Sequence, residues 1–265
     1  MNTIISARAL AQTSRPDAAD AYLAVMTALA GSLERLTPEQ WDGDTECAGW
    51  TVRHMACHLI GAQEDMTGIP ALLWRRVKGR RRYPHLSSLD AANQVQVDDH
   101  AHESTTQLGA HYRANIPAVV KRVGRFPNGP ARITVERTMA PGNTPLRIGY
   151  LFNVIYVRDA WMHGLDLARA TGEPRVRTVA DRLVVEQIVR DAATAWGAGP
   201  GVELELTGDV AGTWRLGEGA VAGKLRADSL ELCRSLSGRL PESGVTTLSG
   251  DSALGDRLAR LRILF

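Results

Sequence analysis

Two stretches of this sequence bring together residues that bind metals and move protons. His54 and His58 stand one helical turn apart, and Asp159, His163 and Asp166 follow at spacings of four and three. Side chains four residues apart in an α-helix lie on one face, so Asp159 and His163 can present two ligand atoms to a single point. His58, from another helix, would be a third. Three protein ligands with one position open for water or substrate is how catalytic zinc sites are built. An Asp–His hydrogen bond, or a salt bridge to Arg158, satisfies the same spacing, and spacing leaves both readings open.

These residues need helices to hold them. Apolar residues at Leu23, Met26, Leu29, Leu33 and Leu36 predict a helix over Asp17 to Leu36 behind Pro16, ended by Thr37-Pro38. Thr51 is the expected N-cap of a second helix running to Asp65, whose stripe is Val52, Met55, Ala56, Leu59 and Ile60, with His58 on its flank. A third helix is expected from Leu89 to Val123, bent near Pro117. A fourth is expected from Pro145 to Ala170, stopped by Gly172 and Pro174. In it Leu151, Val154, Ile155, Met162 and Leu165 form the apolar face, Asp159, His163 and Asp166 line its edge, and Arg158 points into it. Polar groups facing a bundle core must be paired or must bind something, because a buried unpaired charge costs several kcal/mol.

After Pro174 the texture changes. One more helix is predicted from Val179 to Trp196. Alternating Val202, Leu204 and Leu206 then give a half-buried strand, and short strands follow at Trp214 to Leu216 and Gly223 to Arg226. Asp228 caps a helix through Leu236, and Val245 to Leu248 reads as a last strand. The fold class is α+β, with a helical bundle over residues 1–174 and a small mixed domain over 175–265.

Composition excludes more than it selects. The chain has 265 residues, 44% hydrophobic and 23% charged, with a net charge of +2, so bulk electrostatics favours no nucleic-acid or membrane partner. No apolar run is long enough to span a bilayer, and the N-terminal stretch lacks a basic region of signal-peptide type. Three cysteines, Cys47, Cys57 and Cys233, form no CxxC pair, which points to a reducing compartment and a cytoplasmic location. The basic run from Arg75 to Arg82 is expected to be a solvated loop or helix end. Asp98, Asp99, His100, His102 and Glu103 are expected on a solvated helix face. Cys57, Trp50 and Trp161 read as packing residues.

The stretch Cys47-Ala-Gly-Trp-Thr-Val-Arg-His-Met-Ala-Cys-His58-Leu resembles the C-x-G-W-T-V-R-x-x-x-x-H-L signature of the mycothiol-dependent maleylpyruvate isomerase family. Arg158-Asp-Ala-Trp-Met-His163-Gly-Leu-Asp166-Leu-Ala-Arg-Ala-Thr-Gly resembles its second signature. The resemblance implies a DinB-like four-helix bundle followed by a small domain similar to sterol-carrier-protein folds. It implies a divalent metal, usually zinc, held by His58, Asp159 and His163. The family's acidic ligand is often Glu, and Asp159 is one methylene shorter, so the helices must stand closer. It also implies mycothiol as cosubstrate, activated as its thiolate by the metal. Thiolate addition to maleylpyruvate turns a double bond into a rotatable single bond, and elimination gives the trans isomer. With other small electrophiles the product is a thiol conjugate. Carboxylate-bearing substrates need cationic anchors, for which Arg215 and Arg239 are candidates.

Two other functions fit the same residues. One is a non-catalytic binding or structural protein on this scaffold with no metal bound. The other is a metal hydrolase in which water replaces the thiol as nucleophile.

Overall fold

The computed structural model describes residues 4–240 and 244–265, so Met1 to Thr3 of the N-terminal stretch lie outside the described residues. In chain order a short strand β1 (Ile5–Ser6) precedes helices α1 (Arg15–Leu33), α2 (Pro38–Trp41), α3 (Val52–Thr67), α4 (Ile69–Arg82), α5 (Ser88–His100) and α6 (Thr105–Gly124). Next come α7 (Asn128–Ala131), the hairpin strands β2 (Thr134–Ala140) and β3 (Thr144–Arg147), α8 (Ile148–Tyr150), a π-helical turn (Leu151–Ile155) and α9 (Tyr156–Thr171). The remainder is α10 (Asp181–Trp196), β4 (Gly201–Thr207), β5 (Gly212–Leu216), β6 (Val221–Asp228), α11 (Ser229–Ser237), β7 (Thr246–Ser249) and α12 (Ser252–Arg260).

The chain forms two compact units. One holds residues 14–127 and 156–180, the other 1–13, 128–155 and 181–265. The chain therefore passes between units four times, whereas the sequence suggests a single division after residue 174.

The first unit is helical. α1 packs on α6 and α9, and α3 packs on the same two helices, which closes a ring of four. α5 and α4 lie outside the ring, α5 against α3 and α4 against both. The caps follow from residue type. Ser14 accepts from the Asp17 N–H at 3.3 Å at the start of α1, and Thr37 and Gln40 cap α2 reciprocally. Thr51 caps α3 as expected, where His54 Nδ1 accepts from the Thr51 N–H at 3.2 Å. That bond gives His54 a local role. The expected long third helix is two, because Ser104 caps α6 with Gln107 and breaks the run after His100. α9 starts later than Pro145 predicts. Leu146 is buried and pairs with Glu136 across the hairpin, so Pro145 lies in a strand. The helix end is as expected: Gly172 takes φ +72°, which glycine adopts without steric cost.

The second unit is built on a five-stranded sheet of order β1-β5-β4-β6-β7. β4 pairs antiparallel with β5 and parallel with β6, and β1 adds in parallel to β5. Val202, Leu204 and Leu206 are buried, as their alternation predicts. Asp228 caps α11 through the N–H groups of Leu230 and Glu231. α10 and α11 supply covering helices. The hairpin β2–β3, β1 and α12 are additions to the sequence expectation. Among the described residues, no helix is long and apolar enough to cross a membrane.

Candidate metal centre

His58 on α3 and Asp159 and His163 on α9 come together in the helical ring. His58 Nε2 lies 3.2 Å from Asp159 Oδ2, and His163 Nε2 lies 3.3 Å from Asp159 Oδ1. One ligand atom from each residue fits within a 4.8 Å span. The rings of His58 and His163 meet edge to face at 5.2 Å. Both histidines are buried, and the Asp159 side chain keeps 16% of its exposure, so the carboxylate is the group of the three nearest solvent. The shorter acid closes the trio because α3 and α9 are in direct contact.

The other nitrogen of each ring is committed. His58 Nδ1–H donates to Gln96 Oε1 at 2.7 Å. The orientation of that amide is fixed in turn, since Gln96 Nε2 donates to Asp65 Oδ2 at 2.7 Å. Asp65 accepts from Arg75 at 2.7 Å. On the far side His163 Nδ1–H donates to the fully buried Asp166 carboxylate at 2.8 Å, and Cys47 Sγ–H donates to the same oxygen at 3.6 Å. Gly61 makes room for Gln96: a Cβ there would stand 2.5 Å from Gln96 Cβ. Trp50 covers His58, with ring centroids 5.0 Å apart.

The consequence is electrostatic. With both Nδ1 atoms donating, each Nε2 of a neutral ring presents a lone pair, and the two lone pairs converge on a carboxylate. Nothing there attracts unless a positive charge sits between them. Burial alone would raise the Asp159 carboxyl, but the imidazoles of His163 and His58 outweigh it and hold the group well below the usual carboxylate range. Burial likewise opposes charge on His163, yet Asp159 and the bonds to Asp166 and Cys47 raise it far above the usual histidine range. A proton or a metal ion would meet this demand. Two imidazole nitrogens and a carboxylate oxygen, each ring held by an outer acceptor, match the ligand types and outer bonding of zinc sites.

The two candidate arginines belong to the second unit. Arg215 on β5 donates from Nη2 to the Gly219 carbonyl at 2.5 Å, closing the turn before β6. Arg239 follows α11, and its N–H bonds the Arg234 carbonyl at 3.0 Å. The basic run is the C-terminal part of α4, a helix end that is solvated at Arg80 to Arg82 as expected, whereas Arg75 and Arg76 turn inward. Arg75 is 5% exposed and reaches Glu64, Asp65 and Asp99, while Lys78 meets Asp99 at 2.6 Å. The acidic–histidine stretch is likewise engaged: Asp99 serves Arg75, and His100 is buried between Glu64 and Glu103, though His102 is exposed. Cys57 is buried as expected, and burial pushes its thiol up to about 11. Trp161 is also buried, with the Arg175 guanidinium 5.0 Å over its ring. Sequence reasoning missed Gln96, whose residue type carries no metal signal, and Asp65, which stands behind Gln96 and outside the trio.

Fold and site together define a two-unit α+β protein with a candidate metal centre inside a four-helix ring. The family described as mycothiol maleylpyruvate isomerase N-terminal domain matches residues 22–168, and the chain belongs to that family. Among solved structures, it is similar to the crystal structure of the mycothiol-dependent maleylpyruvate isomerase and to that of a histidine-to-alanine variant of it. Each comparison gives a TM-score of 0.57 at 14% identity, covering 94% of this chain and 97% of the other. At that identity the likeness speaks for the fold. No curated protein matches the chain.

Proposed function

We propose that this chain is a metal-requiring enzyme that adds a low-molecular-weight thiol, mycothiol by its family, to a small electrophile. The outcome is isomerisation when the thiol leaves again and a conjugate when it stays. The observation that carries the reading is the pair of imidazoles whose Nδ1–H groups are spent on Gln96 and Asp166 while both Nε2 atoms face Asp159. His58, Asp159 and His163 would hold a divalent ion, zinc by the family's usual metal, since these donors suit several ions. When bound, that ion supplies thiolate at neutral pH from a thiol whose ordinary pKa is about 8.5.

The chain's own residues prepare the site. Gln96 and Asp166 fix the tautomer and the orientation of the rings, so their basic nitrogens point at one place. The buried surroundings of His58 and His163 exclude water and strengthen charge interactions. Asp159, partly exposed, marks the side from which a ligand approaches. Three cysteines, none of them in a disulfide, fit the reducing cytoplasm in which such a thiol is kept reduced.

The test is metal content of the natively purified, tag-free protein and of His58→Ala and His163→Ala, with thiol-dependent turnover of maleylpyruvate and other electrophiles. We expect bound zinc at this site in the parent, its loss in both variants, and turnover only with metal and thiol together. A parent that takes no metal here when zinc is supplied would make the trio a structural network with a proton on His163. Metal-dependent turnover without any thiol would instead favour a hydrolase.

A further inference from the structure

A second set of ligands lies outside the trio, where α5 ends and α6 begins. His100 is the last residue of α5, Glu103 stands in the turn before α6, and His111 is on α6. His100 Nδ1 lies 2.7 Å from Glu103 Oε1, and His111 Nδ1 lies 3.1 Å from Glu103 Oε2. One ligand atom from each of the three residues falls within a 4.8 Å span, and the two rings stand edge to face at 5.3 Å. In a tetrahedral zinc site with bonds of about 2.0–2.1 Å, ligand atoms stand about 3.3–3.4 Å apart. One carboxylate oxygen, Glu103 Oε1, lies 2.7 Å from His100 Nδ1 and 3.2 Å from His111 Nδ1. Both contacts are shorter than the zinc spacing, by about 0.6 and 0.1 Å, so the groups must part slightly to admit an ion.

The opposite nitrogen of each ring faces the Glu64 carboxylate, within hydrogen-bond distance for His100. His100 Nε2 is 3.3 Å from Glu64 Oε2, and His111 Nε2 is 3.7 Å from Glu64 Oε1. Metal-bound histidines donate their second N–H to such a carboxylate. Glu64 is itself held by Arg75, whose charge is further balanced by Asp65 and Asp99. His100 is buried, whereas the His111 side chain is 33% exposed, so water can complete the coordination.

We propose that His100, Glu103 and His111 form a second site for a divalent transition metal of the zinc class, with Glu64 orienting the His100 ring and facing that of His111. A metal there joins the end of α5, the following turn and α6, and through Glu64 it braces them on α3. The inference does not depend on the catalytic reading of the first site.

The chelator-stripped, tag-free protein would be titrated with Zn(II) and with Co(II), counting bound metal and recording the visible Co(II) spectrum. His111→Ala, Glu103→Gln and His58→Ala would be titrated beside it. Glu103→Gln keeps the side chain's shape, which guards against a fold lost in His111→Ala. We expect two equivalents in the parent and one in each variant, with His58→Ala keeping the spectrum that His111→Ala and Glu103→Gln lose. One equivalent in the parent, absent in His58→Ala and undiminished in His111→Ala and Glu103→Gln, would overturn the second site and leave the first. One equivalent lost in His111→Ala but kept in His58→Ala would support the second site and sink the first. A parent that binds neither ion overturns both.

Discussion

The ring orientation of His58 rests on an amide, and that amide rests on a carboxylate. Gln96 accepts from His58 and donates to Asp65, so it can neither flip nor leave without freeing the imidazole. Asp166 plays the corresponding part for His163. Removing either outer partner leaves the three ligands in place but loosens their aim. Gln96→Leu and Asp166→Asn should therefore each weaken zinc binding by about 10–100-fold. Competition against a chromophoric chelator reads that change directly, and affinity unchanged in both variants would mean the rings are oriented by packing alone. The Asp159–His163 pair was legible in the sequence, because an acid and a histidine at four-residue spacing share a helix face, whereas His58 was joined to it as a ligand by the family resemblance. Gln96 was legible in neither way. It sits 38 residues from His58, and glutamine is a common helix residue, so only the packing of α5 on α3 assigns it a role.

The elements hold that packing through close approaches and one buried cation. Gly61 on α3 admits the Gln96 side chain, and Gly79 on α4 admits the backbone of α5, where an added Cβ would stand 2.6 Å from the Ala91 carbonyl oxygen. Arg75 ties the same three helices together. From α4 it bonds the Gly61 carbonyl, Glu64 and Asp65 on α3, and Asp99 on α5. Arg75→Met would leave the buried Asp65 carboxylate without its cation, an imbalance that typically costs about 3–5 kcal/mol, while the part-exposed Glu64 and Asp99 lose one partner each. Chemical denaturation of the variant should show a loss of that order, with Arg75→Lys recovering part of it. A loss below about 1 kcal/mol, the range of exposed pairs, would show that solvent reaches the cluster. Here the sequence misled for a physical reason. A run of six cations within eight residues reads as solvated, yet a helix turns its residues to different sides, and Arg75 and Arg76 face inward while Arg80 to Arg82 stay exposed. The break between α5 and α6 was readable but went unused: from Asp98 to Gln107 the apolar period lapses apart from Ala101, and Ser104 caps α6 with Gln107.

At the scale of the whole chain, the change from helical period to alternation after Pro174 announced an α+β protein, and the sheet bears this out. The membership of residues 1–13 and 128–155 was not readable. β1 is two residues long and pairs with Trp214 and Arg215, far along the chain, and no local pattern encodes such a partner. The helical unit has the same long-range character, since its candidate metal ligands lie on α3 and α9, His58 and Asp159 being 101 residues apart, so a bound ion would act on a fold that only the native state supplies. Binding to the native state alone stabilises it by mass action, about 4 kcal/mol when free metal is a thousandfold above its dissociation constant. Adding zinc to the chelator-stripped protein should therefore raise the melting temperature of the helical unit, and the rise should grow with zinc concentration. His58→Ala should keep only the part owed to the second ligand set. The double variant His58→Ala/His111→Ala, with both sets cut, should show no rise. A double variant that still gains the full shift would place the stabilising metal on other residues, and a parent indifferent to saturating zinc would mean that protons alone balance both histidine–carboxylate clusters.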